Sequence, residues 1–196
     1  MKRIIGYVNT ADLNDMREED VRALTVINIA FGLIRDGEVV WDAKDARDGM
    51  VSIRKSNPEL KIVLSVGGWG ADGFSQAART KEGRERFAAS ALAIVKEYGL
   101  DGIDIDWEFP GMTFSSNAYD ELVDVENFTL LMKDLRAALG QSTLLTYAGY
   151  CMDKRPQGEG YKYIDVKAVD PYVDFVNIMA YDLVDAPPVS YTHLTL

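Results

Sequence analysis

The sequence predicts an α/β fold in which buried parallel strands alternate with helices. Six short apolar runs, rich in Val, Ile and aromatic residues, have the length and composition of strands that are covered on both faces. Helical patterns lie between several of them, and this alternation favours parallel strands joined by right-handed crossovers. The predicted strands are 4–8, 26–32, 62–66, 102–107, 144–148 and 175–179.

Two of the predicted helices have a clear apolar stripe. Residues 82–98 and 126–139 carry apolar side chains at helical spacing, and Gly99 and Gly140 follow them where a C-cap glycine belongs. Weaker helical patterns cover residues 17–24 and 45–56. The pair Asp36-Gly37 predicts a turn inside the second connection, where a small hairpin fits.

The composition bounds the size of the fold and excludes several partners. With 196 residues, 47% of them hydrophobic, the chain can build one sizeable core. Its net charge of −10 disfavours nucleic acid and anionic membranes, and fits a neutral partner such as a sugar. No apolar run has the length of a membrane span or of a signal-peptide core, so we expect a cytoplasmic protein or a secreted one without its leader.

Cysteine and histidine are too few for several kinds of site. Cys151 is the one cysteine and cannot form an internal disulfide, and His193 is the one histidine. A histidine-based triad or a histidine-rich metal site is therefore excluded. The DxDxDG spacing of a calcium loop is also absent. We expect no metal and no cofactor.

The most informative segment is DGIDIDWEFP at residues 101–110. On a strand, Asp104, Asp106 and Glu108 project to one face, roughly 6–7 Å apart. Acids in such a row repel one another, which drives their pKa values apart. The alternative is a half-exposed strand with a solvated acidic face, which the apolar opposite face disfavours. Paired carboxylates with separated pKa values are what glycosidic bond cleavage needs.

Other unusual residues lie at or just past the carboxyl ends of the predicted strands. Active sites form at this face both in (β/α)8 barrels and in open doubly wound sheets. No phosphate-binding glycine loop follows the first strand, so we predict the closed (β/α)8, or TIM, barrel. These strand-end residues are Tyr7, Phe31, Ser65, Gly68, Trp69, Met179, Tyr181 and Asp182.

Three of these segments resemble motifs of glycoside hydrolase family 18, which comprises chitinases and related endo-β-N-acetylglucosaminidases. Residues 101–108 match the family's DxxDxDxE motif, and residues 65–69, SVGGW, resemble its SxGG motif. Residues 179–182, MAYD, resemble its MxYD motif. The three motifs lie on the predicted third, fourth and sixth strands, and the resemblance extends over residues 4–182.

The resemblance implies a role for each acid. Glu108 would be the general acid that protonates the leaving oxygen and then the base that activates water. The nucleophile would be the substrate's own 2-acetamido carbonyl, an exception to the two-carboxylate scheme. Asp106 would hydrogen-bond the acetamido N–H and stabilise the oxazolinium ring. Asp104 would share a proton with Asp106.

The resemblance also implies a substrate pocket around these acids. Tyr181 would donate its hydroxyl to the acetamido oxygen, and Asp182 would line the same subsite. Tyr7 and Ser65 would hold Asp104. The pocket would be shaped by Phe31, Gly68, Trp69 and Met179. By themselves, however, a Trp after two glycines could cap the barrel, and Met179 could fill the core.

The implied substrate is a β-1,4-linked N-acetylglucosamine oligosaccharide or chitin, bound by a full-length monomer. Two alternatives remain: an endoglycosidase that cuts the chitobiose core of N-glycans, and a sugar-binding barrel without catalysis. Retention of Asp104, Asp106, Glu108 and Tyr181 favours an enzyme. Six of the eight expected strands are visible. We therefore expect residues 1–187 to be a partial catalytic barrel, residues 188–196 to be a non-native tail, and this chain alone to be inactive.

Overall fold

The computed structural model describes residues 2–44, 46–112, 117–150 and 163–181. Strands and helices alternate along this part of the chain. The strands are β1 (Ile5–Asn9), β2 (Val26–Arg35), β3 (Glu38–Val40), β4 (Lys61–Gly67), β5 (Gly102–Asp106), β6 (Leu144–Tyr150) and β7 (Phe175–Met179). The α-helices are α1 (Glu18–Ala23), α2 (Arg47–Ser56), α3 (Phe74–Ala78), α4 (Lys81–Tyr98), α5 (Asp124–Leu139) and α6 (Val166–Val169).

Six of the strands form one parallel sheet in the order β1-β2-β4-β5-β6-β7. Neighbours in the sheet are also neighbours in sequence, except that β3 folds back antiparallel onto β2 as a hairpin. Asp36 and Gly37 form the turn of this hairpin with φ values of 53° and 78°. Positive φ at both positions is typical of an Asp-Gly hairpin turn, as the sequence predicts.

The sheet is strongly curved, so that its two edge strands approach each other. Tyr7 of β1 and Asn177 of β7 both hydrogen-bond Asp104 of β5. In a flat sheet β1 and β5 would lie roughly 14 Å apart, at about 4.8 Å for each of three strand spacings. At the other end of the strands, the Arg3 guanidinium lies 4.6 Å from the centroid of the Phe175 ring. The six strands thus enclose a lumen.

The two faces of the sheet differ in polarity. The outer face carries fully buried apolar side chains such as Ile29, Leu64 and Ile105, which helices cover. Trp107 stacks on Phe74 of α3, with ring centroids 5.2 Å apart and planes 8° apart. The inner face instead buries polar groups, namely Asn28, Ser65, Asp104 and Thr146. These groups give the lumen its chemistry.

The predicted elements agree with the structure except near their ends. All six predicted strands are present, and the predicted helices match α1, α2, α4 and α5 to within two residues. The acidic strand ends at Asp106, however, so Glu108 lies two residues beyond it rather than on it. The 3-10 turn Thr10–Asp15, α3 and α6 were not predicted, because each is too short to show an apolar period. Residues 188–196 and Asp182 lie outside the described residues. Among the helices described, none is long and apolar enough to cross a membrane.

Replacing Gly102 with Ala is expected to destabilise the barrel. A Cβ atom at this position would lie 2.4 Å from the main-chain oxygen of Leu144, and main-chain atoms of a neighbouring strand cannot move aside cheaply. We expect the free energy of unfolding to fall by about 1–3 kcal/mol, as for other overpacked sites. The matched control is Gly6→Ala, whose Cβ would meet only the flexible Leu24 side chain at 3.3 Å. Urea unfolding of the full-length variants measures the difference, and equal midpoints would contradict the prediction.

Candidate active site

Asp104 lies at the centre of the lumen and receives four side-chain hydrogen bonds. The hydroxyls of Tyr7 and Ser65 donate to Oδ2 over 2.9 and 2.8 Å. The Thr146 hydroxyl and the Asn177 amide donate to Oδ1 over 2.6 and 3.1 Å. Asp104 is 0% exposed, and its donors come from four different strands. Each oxygen accepts two hydrogen bonds, an arrangement that suits a carboxylate.

Burial and hydrogen bonding act in opposite directions on Asp104. Removal from water raises the pKa of this carboxyl, while the four hydrogen bonds act to lower it. The same contact has the opposite effect on the pKa of Tyr7. Burial, followed by the negative charge of Asp104, raises the pKa of Tyr7 far above its usual range, so its hydroxyl remains a donor.

Asp106 is the second acid in the lumen and is paired with Glu108. It is 5% exposed, and the neighbouring carboxyl of Glu108 interacts with it. Burial, then the charges of Glu108 and Asp104, raise the pKa of Asp106 to about 8. Two like charges held close together out of water repel each other, which favours a state in which the pair keeps one proton near neutral pH.

No hydrogen bond joins Asp104 to Asp106 among the described residues, because four donors from other strands occupy the oxygens of Asp104. A proton shared by Asp104 and Asp106, with Asp106 moving between partners, stays a prediction. The Oδ1 atom of Asp106 is buried and has no hydrogen-bond partner within the described part of the chain. Such an acceptor is left for a ligand.

Glu108 lies at the mouth of the lumen, half-buried, just past the end of β5. Burial raises the pKa of its carboxyl, and the hydrogen bond with Asp106 opposes this rise. The next residue, Phe109, is buried against Tyr163 and Tyr150, with ring centroids 4.8 and 5.6 Å away. Glu108 therefore has access to the pocket, while the packing of Phe109 holds the backbone beside it.

Asp106 and Glu108 line a cavity of about 680 Å³ at the carboxyl ends of the strands. Four of the aromatic side chains that line it are exposed, most of all Trp69 by 65% and Tyr181 by 54%. Exposed aromatic faces next to hydrogen-bonding groups are typical of pockets that bind small polar molecules with apolar faces. The sequence-predicted residues that line the cavity are Tyr7, Phe31, Trp69, Asp106, Glu108, Met179 and Tyr181.

Of the other predicted site residues, Asp104, Ser65 and Gly68 do not line this cavity. Ser65 contacts Asp104 rather than the open space. Gly68 has a φ of 92°, and a Cβ there would lie 2.9 Å from the Phe31 ring, so glycine allows Phe31 to pack closely. Asp182 lies outside the described residues. No group of three or more His, Cys, Asp or Glu side chains is arranged to hold a metal ion in the ranges that the structure describes.

Two residues of the site, Thr146 and Asn177, were missed by the sequence reasoning. Each is a polar residue inside an apolar strand, and Thr146 pairs in register with Asp104 across β5 and β6. A polar side chain in a strand that is buried on both faces needs a hydrogen-bond partner. That requirement could have marked both positions as lumen residues.

A curved parallel sheet with acids at its carboxyl ends is typical of part of a (β/α)8 barrel. The model of the family described as Glycosyl hydrolases family 18 matches residues 3–194. The chain therefore belongs to this family.

Relatives and solved structures agree with this assignment. The chain is 38% identical to Chitotriosidase-1 of Mus musculus over 140 residues, which cover 67% of this chain and 28% of the mouse protein. A family 18 N-acetylglucosaminidase from Paenibacillus barengoltzii superposes with a TM-score of 0.83 and 36% identity, covering 92% of this chain and 54% of that one.

A family 18 chitinase from Cycas revoluta, solved in complex with (GlcNAc)4, superposes with a TM-score of 0.77 at 27% identity. The superposition covers 92% of this chain and 55% of the Cycas revoluta chain. The chain thus spans about half of these solved structures and 28% of the mouse relative.

Removing one donor from Asp104 is expected to destabilise the lumen. Thr146→Val leaves Oδ1 with one hydrogen bond fewer in a fully buried place, which raises the pKa of Asp104 further. We expect the free energy of unfolding to fall by about 1–3 kcal/mol. Thr129→Val is the matched control, because the Thr129 hydroxyl is buried without a partner among the described residues. This control should change stability by less than about 0.5 kcal/mol. Equal urea midpoints for the two variants would contradict the assignment.

Asp106→Asn is expected to stabilise the protein, increasingly so as the pH rises from about 4 to 8. The pKa of Asp106 is about 8 in the folded state against 3.8 in its ordinary state, so the folded protein binds more protons across this interval. Stability therefore falls with rising pH in the wild type, and an Asn removes this loss. Melting temperatures across the pH range measure the effect, at roughly 2–4 °C per kcal/mol. The exposed Asp48 provides the control Asp48→Asn, which should follow the wild-type pH dependence.

Proposed function

We propose that the protein hydrolyses β-1,4 bonds between N-acetylglucosamine units by a substrate-assisted, retaining mechanism. The observation that carries this proposal is the pair of neighbouring carboxyls, Asp106 and Glu108, that line the cavity at the carboxyl ends of the strands. General acid catalysis needs a carboxyl that keeps its proton near neutral pH, and this pair supplies one.

In the first step, Glu108 donates its proton to the glycosidic oxygen while the bond from that oxygen to the anomeric carbon breaks. The 2-acetamido carbonyl oxygen of the same sugar attacks the anomeric carbon and closes an oxazolinium ring. The free Oδ1 of Asp106 accepts the acetamido N–H and stabilises the positive charge of the ring. Because the acetamido oxygen is the nucleophile, no second carboxylate is needed for that role.

In the second step, the Glu108 carboxylate takes a proton from water, and the water oxygen attacks the anomeric carbon. The ring opens, the acetamido group is restored, and the product retains its configuration. Asp104 stays buried throughout, and its charge helps to hold the proton on the Asp106–Glu108 pair. Tyr7 and Ser65 keep Asp104 in place.

The cavity walls fit a neutral amino sugar. Trp69 and Tyr181 offer exposed aromatic surface to sugar faces, and the Tyr181 hydroxyl is assigned to the acetamido oxygen. Phe31 and Met179 form the apolar wall for the acetamido methyl group. A net charge of −10 is compatible with an uncharged polysaccharide and disfavours nucleic acid. All these groups come from one chain, so a monomer suffices.

The substrate class follows from the same features together with the relatives. The similarity to a chitotriosidase and to a chitinase bound to (GlcNAc)4 supports chitin or chitooligosaccharides as substrate. An endoglycosidase acting on the chitobiose core of N-glycans would use the same acids. Product analysis on chitooligosaccharides and on a high-mannose glycopeptide separates the two activities.

Glu108→Gln in the full-length protein is expected to abolish turnover and preserve sugar binding. The amide keeps the shape of the side chain but cannot donate a proton as an acid, and general acid catalysis is worth on the order of 10²–10⁴ in rate. We expect kcat on unactivated chitooligosaccharides to fall by at least 10²-fold, with the Kd of the same sugars within about threefold. The control is Glu85→Gln on the exposed surface of α4, which should leave kcat unchanged. Near-normal hydrolysis by Glu108→Gln would exclude this residue as the acid.

A further inference from the structure

Asp124, the first residue of α5, is a fully buried carboxylate that does not line the active-site cavity. From the described residues it accepts three hydrogen bonds. The Ser75 hydroxyl donates to Oδ1 over 2.8 Å, and the main-chain N–H groups of Asp120 and Gly111 donate to Oδ2 over 2.7 and 3.3 Å. No Lys or Arg in the described ranges forms an ion pair with it.

A buried carboxylate without a cation is costly, so its hydrogen bonds must compensate for the lost water. The three donors belong to three separate segments. Ser75 lies on α3, which follows the segment carrying Trp69, while Gly111 follows Glu108 and Asp120 precedes α5. One carboxylate therefore ties together the segments that leave β4 and β5 at the active-site face.

The backbone from Glu108 to Gly111 is short and packed at both ends. Phe109 is held by its ring contacts, and the Met112 N–H donates to the Phe109 carbonyl over 3.2 Å, closing a turn. A Cβ on Gly111 would lie 3.6 Å from the Cα of Glu121, so this turn packs directly against the residues before α5. Motion of Gly111 would consequently be transmitted to Glu108.

Two further contacts support the same connection between these segments. Asp72, three residues after Trp69, accepts the main-chain N–H of Ala118 over 3.0 Å. Arg79, at the end of α3, forms an ion pair with Asp120 at 3.1 Å. Both contacts are exposed, whereas the Ser75–Asp124 hydrogen bond is buried, so Asp124 is the least replaceable member of the group.

We infer that Asp124 is a positioning residue for Glu108. By holding the N–H of Gly111, it restricts the turn at residues 109–112 and keeps the Glu108 carboxyl beside Asp106. The inference rests on the proposed role of Glu108 as the acid. It explains why a buried carboxylate held only by neutral donors among the described residues is present away from the cavity.

Asp124→Asn in the full-length protein tests the inference. The amide nitrogen cannot accept a hydrogen bond, so at least one of the donors to the carboxylate loses its partner. Since small misplacements of a reacting group cost up to about 10²-fold in rate, we expect kcat on chitooligosaccharides to fall about 10- to 100-fold with KM within twofold. Hydrogen exchange of the peptide spanning residues 107–112 should become faster.

The matched control is Asp174→Asn. The Asp174 carboxylate also accepts a main-chain N–H, from Leu145 over 2.8 Å, and pairs with Arg136, but it lies at the amino end of β7, opposite the site. This variant should melt at a lower temperature, with unchanged kcat and unchanged exchange at residues 107–112. Should Asp124→Asn fail to fold, Ser75→Ala removes one donor only, and we expect a two- to fivefold lower kcat with faster exchange in the same peptide.

The outcomes separate this inference from the proposed function. Folded Asp124→Asn, or Ser75→Ala in its place, with wild-type kcat and wild-type exchange overturns the positioning role. A rise in KM at constant kcat also overturns it. If the wild-type enzyme itself does not cleave chitooligosaccharides, the proposed function fails, and the exchange measurement still decides whether Asp124 holds residues 107–112.

Discussion

The buried carboxylate of Asp104 is the interaction on which the rest of the site depends. Its four hydrogen bonds join β1, β4, β6 and β7 to β5, so one side chain connects strands that are not neighbours in the sheet. Asp104 thus contributes both to the curvature of the sheet and to the polarity of the lumen. Its charge also contributes to the raised pKa of Asp106, which links the packing of the barrel to its chemistry.

The site is built at the expense of stability. Asp106 and Glu108 are like charges held together out of water, and an apolar pair of similar size would be easier to bury. A proton kept on the pair relieves this repulsion, and acid catalysis requires such a proton. The energetic cost of the pair and its usefulness therefore have one origin.

The sequence predicted the strands and the two lumen acids well, because both follow from short-range periodicity. Asp104 and Asp106 alternate with Ile103 and Ile105 on a single strand, and that alternation is visible without a structure. Thr146, Asn177 and Asp124 were not identified, since their importance comes from partners 42, 73 and 49 residues away in the chain. The contact between Asp106 and Glu108 was equally inaccessible, because it depends on where β5 ends.

The carboxylates that anchor the described strands have cationic partners at the amino ends and neutral donors at the carboxyl ends. At the amino ends, Asp101 pairs with Arg54 and Lys61, and Asp174 pairs with Arg136. At the carboxyl ends, Asp104 and Asp124 are held by hydroxyls, amides and main-chain N–H groups, and no Lys or Arg of the described residues lines the active-site cavity. A cation beside Glu108 would lower its pKa and remove the proton that it must donate. Neutral donors can position an acid without favouring the loss of its proton. This requirement accounts for the neutral donors that hold Asp104 and Asp124 among the described residues.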